Sequence, residues 1–231
     1  MSCSCNHELC LLCGGVIEGP AGKIDVCRMP GLVVQRTYER EECLFMQGQR
    51  VDWIYLVRQG AIKCTTTLPD GREQIVMLCE AECTLALEAL LRPRYPYTAQ
   101  ALTTVVLCRI RARDMMVTME HSPTVWRRAL ELLGDEVNSS HTQISDLAGK
   151  SAIERVASFL VRLHRHADSR AGSVLQPLSR QEISTLLGLN IATVSRCITR
   201  LQQEGVVACP KGSLKVIDPH RLRVIAGEEC T

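Results

Sequence analysis

Aromatic side chains are scarce in this chain: Phe, Tyr and Trp together make up 3% of it. Little is left for stacking on unpaired bases, which argues against a single-strand-binding platform and for duplex nucleic acid. Apolar runs long enough to span a bilayer are missing, and so is a basic-then-apolar leader, so the expectation is a cytoplasmic protein with no membrane partner. Paired catalytic carboxylates, a nucleophile elbow and a phosphate-cradling glycine loop are missing too, and the six histidines are scattered. An enzyme is therefore not expected. There is no internal repeat and no low-complexity tract.

What the chain does have is cysteine, 13 in 231 residues. In a reducing compartment disulfides are disfavoured, so metal binding or redox chemistry is the better explanation for the excess. A hydrophobic fraction of 46% suits a soluble globular protein of about two domains. The net charge of +2 conceals an asymmetry. Residues 151–231 hold 11 Lys/Arg against 7 Asp/Glu, whereas the preceding residues hold 16 against 18. A basic carboxyl-terminal part is the electrostatic footprint expected of phosphate binding.

The basic part contains the most informative stretch, residues 179–204. Ser179 and Glu182 form a capping box, and Ile183, Leu186 and Leu187 share one helical face. Gly188 stands where a left-handed turn residue is wanted, and a second amphipathic run follows Asn190. Its apolar face is Ile191, Val194, Ile198 and Leu201; its other face shows Thr193, Ser195, Arg196, Thr199 and Arg200. This is the pattern of a helix-turn-helix whose second helix reads the major groove of double-stranded DNA. Beyond it, residues 206–208 and 213–217 flank Cys209-Pro210-Lys211-Gly212 as a wing-like hairpin.

Upstream, residues 33–113 read as short strands at 51–57, 61–68, 74–78 and 98–110, with turns at Gly48, Gly60 and Asp70-Gly71. That spacing predicts an antiparallel jelly-roll barrel. A long helix is predicted from Ser122-Pro123, and Leu133, Val137, Ser140, Ile144 and Leu147 follow a heptad rhythm along it. Core packing produces the same rhythm, but paired DNA half-sites favour a homodimer seam. Small, uncharged Ser140 eases close approach. Ala148-Gly149-Lys150 reads as a hinge, and a second capping box, Ser151 with Glu154, starts a further helix to about His166. The expected class is α+β, divided as a cysteine-rich segment 1–30, a β-barrel sensor 31–121, a dimerisation helix and hinge 122–150, and a winged helix-turn-helix 151–231. Residues 1–30 are expected to be irregular, from their glycines and cysteines.

The order barrel, long helix, winged helix-turn-helix resembles the cAMP receptor protein/FNR family of transcription regulators. Leu44-Phe45 with Gly48, residues 55–63, residues 70–75, Ala99-Gln-Ala-Leu102 and Glu154-Arg155 are similar to the FNR (fumarate and nitrate reduction regulator) branch. The resemblance implies a palindromic DNA operator, RNA polymerase as partner, and an oxygen-labile [4Fe–4S] cluster held by amino-terminal cysteines plus one from the barrel. The barrel cysteine matching that position is Cys108. Cys5-x4-Cys10-x2-Cys13 would supply the other three thiolates, with Cys3 as a substitute for Cys5, although the family's two gaps stand in the opposite order. Zinc, held by three cysteines with His7 or Cys108, and reactive thiols without metal are the competing readings. No motif points to heme. Cys43, Cys64, Cys79 and Cys83 fall in or beside strands and are expected to be small buried hydrophobes, and Cys197 to be helix surface or core. The run from Glu82 to Glu88 lacks the Gly-Glu and Arg-Ser residues with which the cAMP-binding branch holds its ligand. Within the helix-turn-helix, Ser195-Arg196 matches the family's pair and makes Arg196 the reader of guanine, with Thr193, Thr199 and Arg200 on phosphates. Ala192 stands where the family usually has Glu, which predicts an altered half-site at that base pair.

Overall fold

Runs rich in Val, Ile, Thr and Tyr favour pleated backbone, and the turn residues between them set the strand lengths. The computed structural model describes residues 16–19, 22–25, 31–168, 178–209 and 214–228. They fall into two units, Met1–Asn138 and Ser139–Thr231. In chain order the first contains β1 (Val16–Gly19), β2 (Gly22–Asp25), β3 (Val33–Tyr38), β4 (Cys43–Phe45), β5 (Trp53–Gln59), β6 (Ile62–Thr67), β7 (Glu73–Cys79), β8 (Thr84–Leu85), β9 (Thr98–Ala101), β10 (Val105–Arg111) and α1 (Ala112–His121). Helix α2 (Pro123–Gly149) runs on into the second unit, where α3 (Ala152–Asp168), α4 (Arg180–Leu187), α5 (Ile191–Gln203), β11 (Val207–Ala208), β12 (Lys215–Val216) and α6 (Pro219–Ile225) follow.

Eight strands form two four-stranded antiparallel sheets, in the orders β3-β10-β5-β8 and β4-β9-β6-β7, which is the jelly roll expected from the strand spacing. The 98–110 run departs from expectation by dividing at Leu102–Thr104 into two strands that serve different sheets. The turn between β5 and β6 packs against the break. Gly60 has φ +91°, and a Cβ there would lie 2.4 Å from the Thr104 carbonyl oxygen, so the two turns pack backbone to backbone. A second departure is in the amino-terminal segment, where β1 and β2 pair in register from Val16↔Asp25 to Gly19↔Gly22 rather than staying irregular.

Four aromatic residues, Phe45, Tyr55, Tyr95 and Tyr97, gather between the sheets. Phe45 stacks on Tyr95 at 3.9 Å and on Tyr55 at 5.4 Å between centroids. The Tyr95 hydroxyl accepts from the Trp53 N–H at 3.0 Å and donates to the Trp53 carbonyl at 2.9 Å, so its polar end is satisfied inside the core.

In the second unit, the carboxyl-terminal turn of α2 is anchored by charge. Asp146, 7% exposed, receives Lys150 Nζ at 2.7 Å and Arg162 at 2.8 Å. Lys150 Nζ also donates to Ser158 Oγ at 2.7 Å, and Arg155 donates to the Lys150 carbonyl at 2.9 Å. The segment expected to act as a hinge is thus helical through Gly149 and then tied down by hydrogen bonds. Glu154 accepts from the Ser151 N–H at 2.7 Å, as a capping carboxylate should. Helices α1 and α6 were not expected. The signal for α6 was available, since Asp218 caps it by accepting from the Arg221 N–H at 2.9 Å and Pro219 occupies its first turn. Among the described residues no helix is long and apolar enough to cross a membrane.

Candidate nucleic-acid interface and thiol site

The turn between α4 and α5 is built by three local devices. Ser179 Oγ accepts from the Glu182 N–H at 3.1 Å while the Glu182 carboxylate accepts from the Ser179 N–H at 2.9 Å, a complete capping box. Gly188 closes α4 at φ 61°, ψ 35°, a left-handed conformation that costs a side chain about 1 kcal/mol or more. Asn190 then opens α5 by accepting from the Thr193 N–H at 2.7 Å.

Val194, Cys197, Ile198 and Leu201 bury one face of α5. Ile191, expected on that face, is 46% exposed, because it sits in the first turn before the helix meets the core; Cys197 takes the place instead. Burial pushes the Cys197 thiol up against the opposing pull of Arg196 and Arg200, so it is a neutral core group. The opposite face carries Arg196, Thr199 and Arg200 exposed and Thr193 and Ser195 half-exposed, with Ala192 exposed between them. Arg196 donates to Thr193 Oγ1 at 3.2 Å, and Arg200 pairs with Glu204 at 2.9 Å, a contact that turns it along the helix. β11 and β12 pair antiparallel as the wing, and the turn joining them lies outside the described residues. Two exposed cations overlooked in the sequence, Arg180 at the start of α4 and Lys215 on the wing, join the same unit's cationic groups.

Along α2, Val137 (52% exposed) and Ile144 (61%) stand in solvent, and Trp126 and Leu130 extend the same apolar stripe by two further steps. Ser140 is exposed. Leu133 is half-buried against the barrel core, and Leu147 lies 3.8 Å from where a Cβ on Gly188 would stand, so both also serve their own unit.

Of the proposed thiolates, Cys3, Cys5, Cys10 and Cys13 lie outside the described residues, as do His7 and Cys27. Cys108 is half-buried on β10, opposite Leu56 of β5 and the exposed Gln35 of β3. Its neighbours in register Arg109 and Tyr55 share the other face, and Tyr55 points between the sheets onto Phe45. Cys108 therefore lies on the face of its sheet turned away from Phe45, partly buried beside Leu56 and packed against the hydrophobic core cluster. A soft thiol placed there fits a thiolate-bound metal group whose other donors come from a separate segment. Among the described residues no cluster of three or more His, Cys, Asp or Glu is placed to hold a metal ion.

The remaining cysteines divide. Cys64 is fully buried, and burial with the charges of Glu88 and Glu136 pushes its thiol well up, which leaves it inert as expected. Cys43 is exposed rather than buried, since β4 is short and turns it outward. Cys79 and Cys83, expected to be small hydrophobes, form a disulfide. The expectation failed because strand pattern does not show which side chains a turn brings face to face.

The barrel interior beside β8 is acidic. Both carboxylate oxygens of Glu88 are buried, with the Tyr97 hydroxyl as their polar neighbour. Burial first, and Glu88 second, push Glu136 of α2 up to about 7. Nearby Ala86 holds φ +66° and donates its N–H to the Tyr97 hydroxyl at 3.2 Å. Carboxylates in such a lining oppose a phosphate.

Residues 35–122 match the cyclic nucleotide-binding domain family and residues 154–225 the Crp-like helix-turn-helix domain family. The chain is 32% identical over 195 residues to the transcriptional activator protein Anr of Pseudomonas aeruginosa, across 83% of this chain and 80% of that one. It is 27% identical over 196 residues to the fumarate and nitrate reduction regulatory protein of Salmonella typhi, across 84% and 78%. The solved structure of FixK2 from Bradyrhizobium japonicum shares the fold, with a TM-score of 0.76 at 23% identity over 84% of this chain and 96% of that one.

Proposed function

The chain belongs to the CRP/FNR family of transcription regulators and is a DNA-binding regulator of that type; from that premise we propose that it works as a homodimer on a palindromic operator, under control of a thiolate-bound [4Fe–4S] cluster. The observation that carries the DNA-reading part is the exposed face of α5, where Arg196 stands clear of the core on a helix capped at its start and braced by α4. A guanidinium so placed makes the bidentate contact to guanine O6 and N7, while Thr193, Ser195, Thr199 and Arg200 set the helix on the backbone. Two such helices about 34 Å apart match half-sites one DNA turn apart, which requires a symmetric dimer. The stripe Trp126, Leu130, Val137 and Ile144 supports a helix–helix seam as its source.

The regulatory part rests on Cys108, partly buried on the face of its sheet turned away from Phe45, as the barrel donor that the amino-terminal cysteines would complete. Cys5, Cys10 and Cys13, with Cys3 as substitute, would hold the cluster with it. Such a cluster supplies an oxygen-labile tie between two segments of the chain. Cys108 is the fixed end of that tie, since β10 hydrogen-bonds to strands on both sides. The acidic lining at Glu88 and Glu136 speaks against a cyclic nucleotide as the signal, whatever the barrel's family name. The name of the Pseudomonas relative supports activation, and with it contact to RNA polymerase.

Iron, acid-labile sulfide and zinc are to be measured on protein purified without oxygen, alongside operator binding before and after air. About four iron and four sulfide per chain, lost in Cys108→Ala, are expected. One zinc and no iron would overturn the cluster and leave the DNA-binding assignment standing.

A further inference from the structure

Cys79 ends β7, the edge strand of one sheet, and Cys83 immediately precedes β8, the two-residue edge strand of the other. Their disulfide, with Cα atoms 5.7 Å apart, is thus a covalent tie between the two sheets along one side of the barrel. The residues between them make a tight corner. Glu82 takes a left-handed φ of +75°, its N–H donates to the Val57 carbonyl at 2.8 Å, and the Val57 N–H donates to the Cys83 carbonyl at 2.9 Å. The Cys83 N–H donates to the Glu80 carbonyl at 3.2 Å. Backbone bonds therefore hold the corner in place independently of the sulfur–sulfur bond. Two thiols so held remain face to face when reduced.

We propose that Cys79 and Cys83 form a reversible dithiol–disulfide site that exchanges with small-molecule disulfides, separate from the thiolates assigned to the cluster. Accessibility orders the steps. Cys79 is fully buried, whereas Cys83 is half-exposed and receives the attack first. The Cys83 thiolate attacks one sulfur of the small disulfide RSSR, a Cys83–SR bond forms, and one RS⁻ leaves and takes up the proton given up by Cys83. The Cys79 thiolate then attacks the Cys83 sulfur and expels the second RS⁻, protonated by the proton of Cys79. Two protein thiols are oxidised and RSSR is reduced to two RSH. Oxidation fixes β8, which has only Tyr55↔Leu85 and Leu56↔Thr84 to pair it with β5, and with it the segment that leads to Ala86 and Glu88.

The full-length protein is to be equilibrated in buffers of reduced and oxidised glutathione, quenched, alkylated and digested with trypsin. The peptide 73–94 carries both cysteines and no other. It should pass from doubly alkylated to unalkylated as the buffer becomes oxidising, and back again without loss of the folded state. Cys79→Ser should trap Cys83 as its glutathione mixed disulfide, while Cys83→Ser should leave Cys79 unmodified until the protein unfolds. A peptide that stays doubly alkylated at every ratio, or that accumulates a glutathione adduct in the unmutated protein, would overturn the proposal. Because that readout uses the unmutated chain, it stands even if a serine variant fails to fold.

Discussion

Arg196 and Ala192 lie one helical turn apart on the exposed side of α5, and their chemistry differs in kind. The arginine offers a planar fork of donors; the alanine offers only a methyl group. Replacing Arg196 by Ala should weaken operator binding by about 1–3 kcal/mol, on the order of 10- to 100-fold, and relax the preference at one base pair of each half-site. Replacing Thr199 should instead weaken binding to all sequences alike. A binding-site selection tests both, and it tests Ala192 as well. A carboxylate can accept from cytosine and a methyl can only touch thymine, so the selected half-site should depart from the FNR type at that position and Ala192→Glu should restore it. Recovery of the unmodified FNR half-site by the natural chain would remove Ala192 from the reading.

At the level of elements, two acidic side chains have opposite fates. Glu136 on α2 keeps its proton up to about pH 7 in the folded chain, because burial and Glu88 both disfavour its charge. Between its ordinary value of 4.5 and about 7 the folded state holds a proton that the unfolded state has released. Stability of the first unit should therefore fall as pH rises through that window and level off above it. Thermal unfolding at several pH values should show this slope, and Glu136→Gln should flatten it and leave the protein more stable at pH 8. Asp146, by contrast, is buried with two cations on it. Asp146→Ala would strand Lys150 and Arg162 and should cost on the order of 3 kcal/mol in the second unit, measured by denaturant unfolding. A loss under about 0.5 kcal/mol would mean the network is surface-like.

For the molecule as a whole, the apolar stripe on α2 bears on assembly. Val137 and Ile144 stand more than half exposed on α2, in line with Trp126 and Leu130. Burying each in a seam stabilises a dimer by about 1.5–3 kcal/mol. Ile144→Glu should raise the dimer dissociation constant by more than tenfold in sedimentation experiments, and weaken operator binding with it. An unchanged dimer would place the interface elsewhere.

Local chemistry was readable because it acts over three or four residues. Ser179, Glu182, Gly188 and Asn190 specify caps and a turn by side-chain reach alone, so the helix-turn-helix and its exposed Arg196 were legible from the sequence. Strand existence followed likewise from alternation and turn residues, whereas the break at Leu102–Thr104 did not, because it depends on the Gly60 turn packing against the Thr104 turn beside it. Helix α1 escaped notice because it follows β10 without a cap side chain: Arg111 occupies the cap position and makes no capping hydrogen bond. What the sequence by itself determined is therefore the architecture and the exposed polar face of α5. Only the tertiary structure decided the fate of the lone polar groups. It set Cys108 on the face of its sheet turned away from Phe45, joined Cys79 to Cys83, and turned Glu88 and Glu136 into a buried acidic lining. Glu88 and Glu136 meet from distant parts of the chain. Cys79 and Cys83, though only four residues apart, meet because the Val57 backbone of a separate strand holds the corner between them. Neither kind of contact is encoded in the alternation of residues along a strand.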